Sequence, residues 1–92
     1  MALPADLNLK DASSVTQRLC TELRSLGEAQ VVVEAGALRH FDSSALAVLL
    51  ECRREAARLR KPFVLRGAPA KLLALADLYG VRELFSAAPL AT

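Results

Sequence analysis

The sequence predicts an α/β domain in which a small, mostly parallel (mixed) sheet of three or four strands carries helices packed on one face. Three observations predict it. Short strand-like and longer helix-like apolar patterns alternate along the chain as strand, helix, strand, helix, strand, helix, and alternation at this spacing requires parallel pairing through right-handed crossovers. The chain has 92 residues, enough for one domain that buries about 60–65% of the surface its unfolded form exposes, so residues 1–92 read as a single domain without repeat or linker. The hydrophobic fraction is 53% with one Tyr, three Phe and no Trp, so the core must be built from Leu, Val and Ala. Strands this short cannot support two covered faces, which puts the helices together.

The elements follow in order. Residues Asp6 to Lys10 alternate polar and apolar, with Leu7 and Leu9 on one side, the pattern of a short edge strand. Ser13 or Ser14 can cap a helix starting near Val15; Val15, Leu19, Leu23 and Leu26 recur at helical spacing, and Gly27 ends it. Val31 to Ala35, interrupted only by Glu34, reads as a buried central strand, and Gly36 to His40 as its connection. The second helix, from Ser43 to about Arg60, has the clearest pattern. Ala45, Val48, Leu49, Cys52, Ala56 and Leu59 fall in one arc roughly 100° wide, and Glu51/Arg54 and Glu55/Arg58 can pair at i, i+3. Lys61-Pro62 stops it, because Pro lacks an N–H and disfavours helical geometry before it. Phe63 to Arg66 is the next strand. Pro69 suits the first position of a third helix, whose apolar face is Leu72, Leu75, Ala76 and Tyr79 and whose stop is Gly80. Val81, Leu84 and Phe85 form a final apolar patch before an aperiodic tail, Ser86 to Thr92.

Composition removes several function classes. The net charge is +2 with both signs mixed along the chain, and without a basic stripe interleaved with aromatics no nucleic-acid footprint is expected. Cys20 and Cys52 are the only cysteines; they read as reduced, mostly buried thiols of a cytosolic protein, with a disulfide or a metal pair as the lesser alternatives. No stretch approaches the roughly 18–20 apolar residues of a membrane span, and the start of the chain lacks a signal-peptide pattern. The expectation is a soluble, cytoplasmic protein with no metal and no cofactor.

The most informative residues are Phe41-Asp42-Ser43-Ser44-Ala45-Leu46. They place an acid and two adjacent hydroxyls where a strand hands over to a helix N-terminus, whose free N–H groups suit a capping group, a bound anion or a phosphoserine. Three capping-competent residues in a row are more than one helix needs, and open α/β sheets place ligands at the carboxyl ends of central strands. Beside the core stripe of this helix, Leu46, Leu50 and Ala57 form a second, narrower apolar strip edged by Arg53 and Arg54. That strip either widens the core contact or offers a face to a partner. His40 precedes the serines, but a Ser–His catalytic reading lacks a G-x-S-x-G elbow, a second His and a glycine-rich oxyanion loop. Gly67-Ala68-Pro69-Ala70-Lys71 has one Gly, and a Pro where a phosphate loop needs donors.

The segment Val31-Val32-Val33-Glu34-Ala35 followed by Phe41-Asp42-Ser43-Ser44-Ala45-Leu46-Ala47-Val48-Leu49-Leu50 resembles the signature of the STAS domain superfamily, found in sulfate transporters and anti-sigma factor antagonists. The phrase Leu75-Ala76-Asp77-Leu78-Tyr79-Gly80-Val81 resembles the MlaB-like branch, the cytoplasmic STAS subunits of the bacterial ABC transporter that maintains outer-membrane lipid asymmetry. The likeness covers about residues 30–85. It implies a non-enzymatic accessory subunit, peripheral to the inner membrane through its partner, that binds and supports an ATPase subunit of a phospholipid transporter. The motif residues Asp42, Ser43 and Ser44 carry over as partner-binding, joined by Leu46, Leu50, Arg53 and Arg54 from the helical pattern. The competing implication is an anti-sigma factor antagonist, in which a partner kinase phosphorylates Ser44, with Ser43 the other candidate hydroxyl. Two departures stand out: the first strand is too short for the family's N-terminal hairpin, so an edge is open or shared, and Ala45 replaces the Gly common in the antagonists.

Overall fold

Asn8 decides where the first helix begins. In the computed structural model, which describes residues 1–25 and 27–85, the Asn8 side chain accepts the Lys10 N–H at 3.0 Å, the geometry of an N-cap. Helix α1 therefore spans Leu9–Ser25, starting six residues before the Val15 expected from Ser13 and Ser14. Those serines lie inside the helix, where Ser14 bonds back to the Asp11 carbonyl at 3.2 Å. The preceding strand β1 shortens to Asp6–Leu7, and Leu9 is turned out to solvent, 77% exposed. Val15, Leu19 and Leu23 are buried on one face as their spacing predicts; Leu26 and the tail 86–92 lie outside the described residues.

The strands then form two parallel ladders in place of one sheet. β2 (Val31–Glu34) pairs with β4 (Phe63–Arg66) in register Val31↔Phe63 to Glu34↔Arg66. β1 pairs with β3 (His40–Phe41) as Asp6↔His40 and Leu7↔Phe41. β3 lies at the end of the stretch read as a connection; two residues give no period of their own, and only the distant partner makes them a strand. The N-terminal segment links the ladders. Leu3 N–H donates to the Glu34 carbonyl at 2.9 Å and the Met1 ammonium to the Val32 carbonyl at 2.9 Å, before the chain crosses to β3. The first segment thus pairs within the chain. At the far end of the β2–β4 ladder Gly67, at φ 71°, brings backbone to backbone: a Cβ there would stand 3.2 Å from the Gly36 nitrogen, a space no larger residue fits without shifting the chain.

Helix α2 (Ser44–Arg58) buries Ala45, Val48, Leu49, Cys52 and Ala56 of the predicted arc, while Leu59 is its C-cap residue and only half-buried. It ends in a Schellman turn: Lys61 N–H reaches the Ala56 carbonyl at 2.8 Å and Arg60 N–H the Ala57 carbonyl at 2.9 Å, with Arg60 at φ 60° where glycine is usual. Helix α3 (Ala70–Leu78) has Pro69 as its N-cap, one residue before the position expected. Leu72 and Ala76 are buried, but Tyr79 is 58% exposed. The helix outruns the core, and Tyr79, its C-cap residue, lies past the last buried turn. Gly80 at φ 69° closes a second Schellman turn, Val81 N–H to the Ala76 carbonyl at 2.9 Å. A 3₁₀ turn, Arg82–Phe85, follows and sets Phe85 against Phe63 with ring centroids 6.4 Å apart.

One carboxylate ties the two long helices. Glu55 on α2 accepts from Arg24 of α1 at 2.9 Å and also from Arg58. The Arg58 bond first, then that of Arg24, hold its carboxyl at about 2, against an ordinary value of 4.5. A folded-state value below the unfolded one means the unfolded chain binds the proton first as pH falls. The contribution is complete above about 4.5 and is lost toward about 2. Thermal melts should show Tm falling through that window, and Glu55→Gln should lower Tm at neutral pH while reducing the acid slope. An acid slope identical in the variant would mean other carboxylates carry it.

Candidate functional site

The Asp42-Ser43-Ser44 cluster divides its work among its three members. Asp42 follows β3 directly, and its Oδ1 accepts the Ser44 N–H at 2.8 Å in the first turn of α2. Its Oδ2 accepts the Leu9 N–H at 3.2 Å in the first turn of α1. A single carboxylate therefore caps two helices whose N-termini converge, and both helix ends favour its negative charge. The Ser44 backbone and hydroxyl bonds, with a smaller share from the Leu9 amide, hold the Asp42 carboxyl below the usual carboxylate range. Ser44 is half-buried, close enough to Asp42 for its hydroxyl to help lower that carboxyl's pKa. Ser43 is exposed and makes no side-chain cap bond. Capping thus accounts for Asp42 and engages Ser44; Ser43 alone turns an unused hydroxyl outward.

Beside Ser43 runs an open apolar groove of about 330 Å³, lined by Ser43, Leu46, Ala47 and Leu50 of α2 and by Tyr79 and Val81 after α3. Leu46 takes the first of the two alternatives for the strip: it is only 4% exposed and joins the core, so it forms the groove's floor. Leu50 is half-buried and packs against the core from the groove side. The opposite wall was not anticipated. It exists because the left-handed Gly80 turns the chain back after α3 and lays Val81 against α2 with Tyr79 above it. Leu78, 76% exposed, stands next to Tyr79 at the same helix end. Two large apolar residues at a helix terminus that does not bury them were the available signal.

The arginines are engaged elsewhere. Arg53 is half-buried, and its Nε donates to the Leu84 carbonyl at 2.9 Å, so it fastens the 3₁₀ turn to α2 instead of flanking the motif as a free charge. Arg54 is exposed and pairs with Glu51 at 2.9 Å, as predicted from the i, i+3 spacing. His40 bonds Asp6, Nδ1 to Oδ1 at 2.8 Å, across the β1–β3 register, and its hydrogen bond is to that carboxylate, not to either serine. Lys71 lies over the Phe41 ring at 5.9 Å, covering the residue before Asp42. Among the described residues no three His, Cys, Asp or Glu side chains converge to hold a metal ion, and no helix is long and apolar enough to cross a membrane.

The arrangement offers an apolar groove with two hydroxyl-bearing residues, Ser43 and Tyr79, in its lining, a surface suited to taking up part of another protein. The model of a protein family described as "Mlab, STAS domain" matches residues 1–86, which takes in both ladders, the Asp42 cap and the whole groove. No curated protein matches the chain.

Proposed function

Since this chain belongs to the Mlab STAS domain family, we propose that it is a non-enzymatic accessory subunit that docks on the ATPase subunit of a phospholipid-transport ABC transporter through Ser43 and the groove beside it. STAS domains are in general binding modules rather than enzymes. The observation that carries the reading is the free Ser43 hydroxyl at the end of the Leu46–Leu50–Tyr79–Val81 groove. A docking surface needs an apolar centre with a few polar groups that fix orientation, and this is the place where the family motif and exposed apolar side chains coincide. The antagonist reading requires Ser44 to accept a phosphate. Ser44 is half-buried and its backbone N–H is held by the Asp42 carboxylate at 2.8 Å, so about −1.5 to −2 added charges would stand against that carboxylate.

Capture from an extract of the cell that makes the protein tests this. The tagged chain should retain an ABC-type ATPase, and Ser43→Glu should weaken that capture by about tenfold or more, since docking would strip water from a new charge beside Asp42. The same variant should keep its far-UV CD, because an acid in the first turn of a helix is favourable to the fold. Retention of only a small histidine-kinase-like protein, with ATP-dependent phosphate on Ser44, would replace this reading with the antagonist one.

A further inference from the structure

We propose that Cys20 and Cys52 are an intramolecular redox pair, closed into a disulfide by exchange with a small-molecule disulfide of the oxidised-glutathione type. Neither cysteine lines the docking groove, and the proposal does not depend on the function assigned there.

The two cysteines face each other across the α1/α2 interface. Both are buried, Cys20 at 9% and Cys52 at 0% exposure; Cys20 shares an interhelical groove with Val48, Glu51 and Glu55, the α2 residues on either side of Cys52, and the two thiols are close enough to perturb one another. The Arg24–Glu55 bridge at 2.9 Å confirms the alignment: Arg24 stands four residues beyond Cys20 and Glu55 three beyond Cys52, one turn further along the same two facing rows. The thiols differ in access. Cys20 opens on an interhelical groove of about 470 Å³ lined by Ser13, Gln17, Arg24, Glu51 and Glu55 among others, a lining that does not include Cys52. Cys20 is thus the outer, attacking thiol and Cys52 the inner, resolving one.

The chemistry balances without any further reagent. The Cys20 sulfur attacks one sulfur of R–S–S–R, forming a Cys20–S–S–R mixed disulfide, and the expelled thiolate leaves as R–SH with the Cys20 proton. The Cys52 sulfur then attacks the Cys20 sulfur, forming Cys20–Cys52 and releasing the second R–SH with the Cys52 proton. Two protein thiols are oxidised and one small disulfide is reduced. Burial pushes both thiols up, Cys52 to about 12, so both are protonated at neutral pH. Burial therefore slows the first attack, and proximity decides the product. The same raised values make both sulfurs poor leaving groups, so the closed bridge resists reduction. Cys52 lies about 12 Å along α2 from Ser44 at 1.5 Å per residue, and neither cysteine lines the docking groove.

The test uses the folded, reduced chain with oxidised glutathione across a pH series, read by intact mass and peptide mapping. The expected product has lost both thiol hydrogens, retains no glutathione and yields one Cys20–Cys52 peptide. Its rate should rise by about tenfold per pH unit below the thiol values, and a strong reductant should restore the starting mass. Cys20→Ser should leave Cys52 unmodified, and Cys52→Ala should trap glutathione on Cys20. A stable glutathione adduct on the unmutated chain, a crosslinked dimer, or inertness of the folded chain under conditions that oxidise the urea-unfolded one would each overturn the proposal.

Discussion

Replacing Leu49 with alanine is expected to remove about 3 kcal/mol of stability, a large share of the roughly 5–14 kcal/mol available to a domain of this length. Leu49 is 0% exposed at the centre of α2, the helix that packs against α1, α3 and β4. With neighbours on several sides the helix cannot close the cavity by moving toward one of them, which keeps the loss inside the range of about 2–5 kcal/mol usual for such truncations. Urea unfolding should show the midpoint falling with the slope unchanged. Leu46→Ala makes an informative companion, because that side chain meets the open groove on one side and the cost there should be smaller than at Leu49 while exceeding that of an exposed position. A loss at Leu49 under about 1 kcal/mol would mean that α2 does not bury this face.

The helical periods that placed Leu49 were legible because a 15-residue helix repeats its pattern often enough to be read without its neighbours. What was not legible is what depends on distant partners. β3 is only two residues long and becomes a strand through Asp6 and Leu7, more than thirty positions earlier. The start of α1 was misplaced because Ser13 and Ser14 are as able to cap as Asn8, and local sequence does not rank them. At the site, three capping candidates were visible, but their division of labour was not. It follows from the Leu9 amide reaching Asp42 across 33 positions, which occupies the acid and leaves Ser43 as the outward hydroxyl. Arg53 looked like a flanking charge on the helical wheel because its acceptor, the Leu84 carbonyl, belongs to a turn that no period announces. Tyr79 looked like core because the seven-residue spacing from Leu72 keeps it on the same face, and the period cannot say where the core ends.

Tyr79→Asp should lower affinity for the proposed ATPase partner by about thirtyfold or more, the loss typical of a hot-spot residue, while leaving the fold intact. The side chain is 58% exposed in the free chain, so its removal vacates no core space, yet a tyrosine seated against a partner can bury about 150–250 Å². Aspartate adds a charge that docking would strip of water. The arginines give the contrast that locates the interface. Arg53→Glu breaks the bond to Leu84, loosens the 3₁₀ turn that carries Phe85 onto Phe63, and should lose capture together with Tm. Arg54→Glu only exchanges an exposed ion pair with Glu51 for a repulsion and should change Tm little, since such pairs contribute about 0–1 kcal/mol. Surface plasmon resonance alongside thermal melts separates the three outcomes. If Arg54→Glu abolishes binding and Tyr79→Asp does not, the partner sits on the outer side of α2 and the groove is not its seat. If Tyr79→Asp alone loses binding at unchanged Tm, the wall that Gly80 turns toward α2 is part of the docking surface.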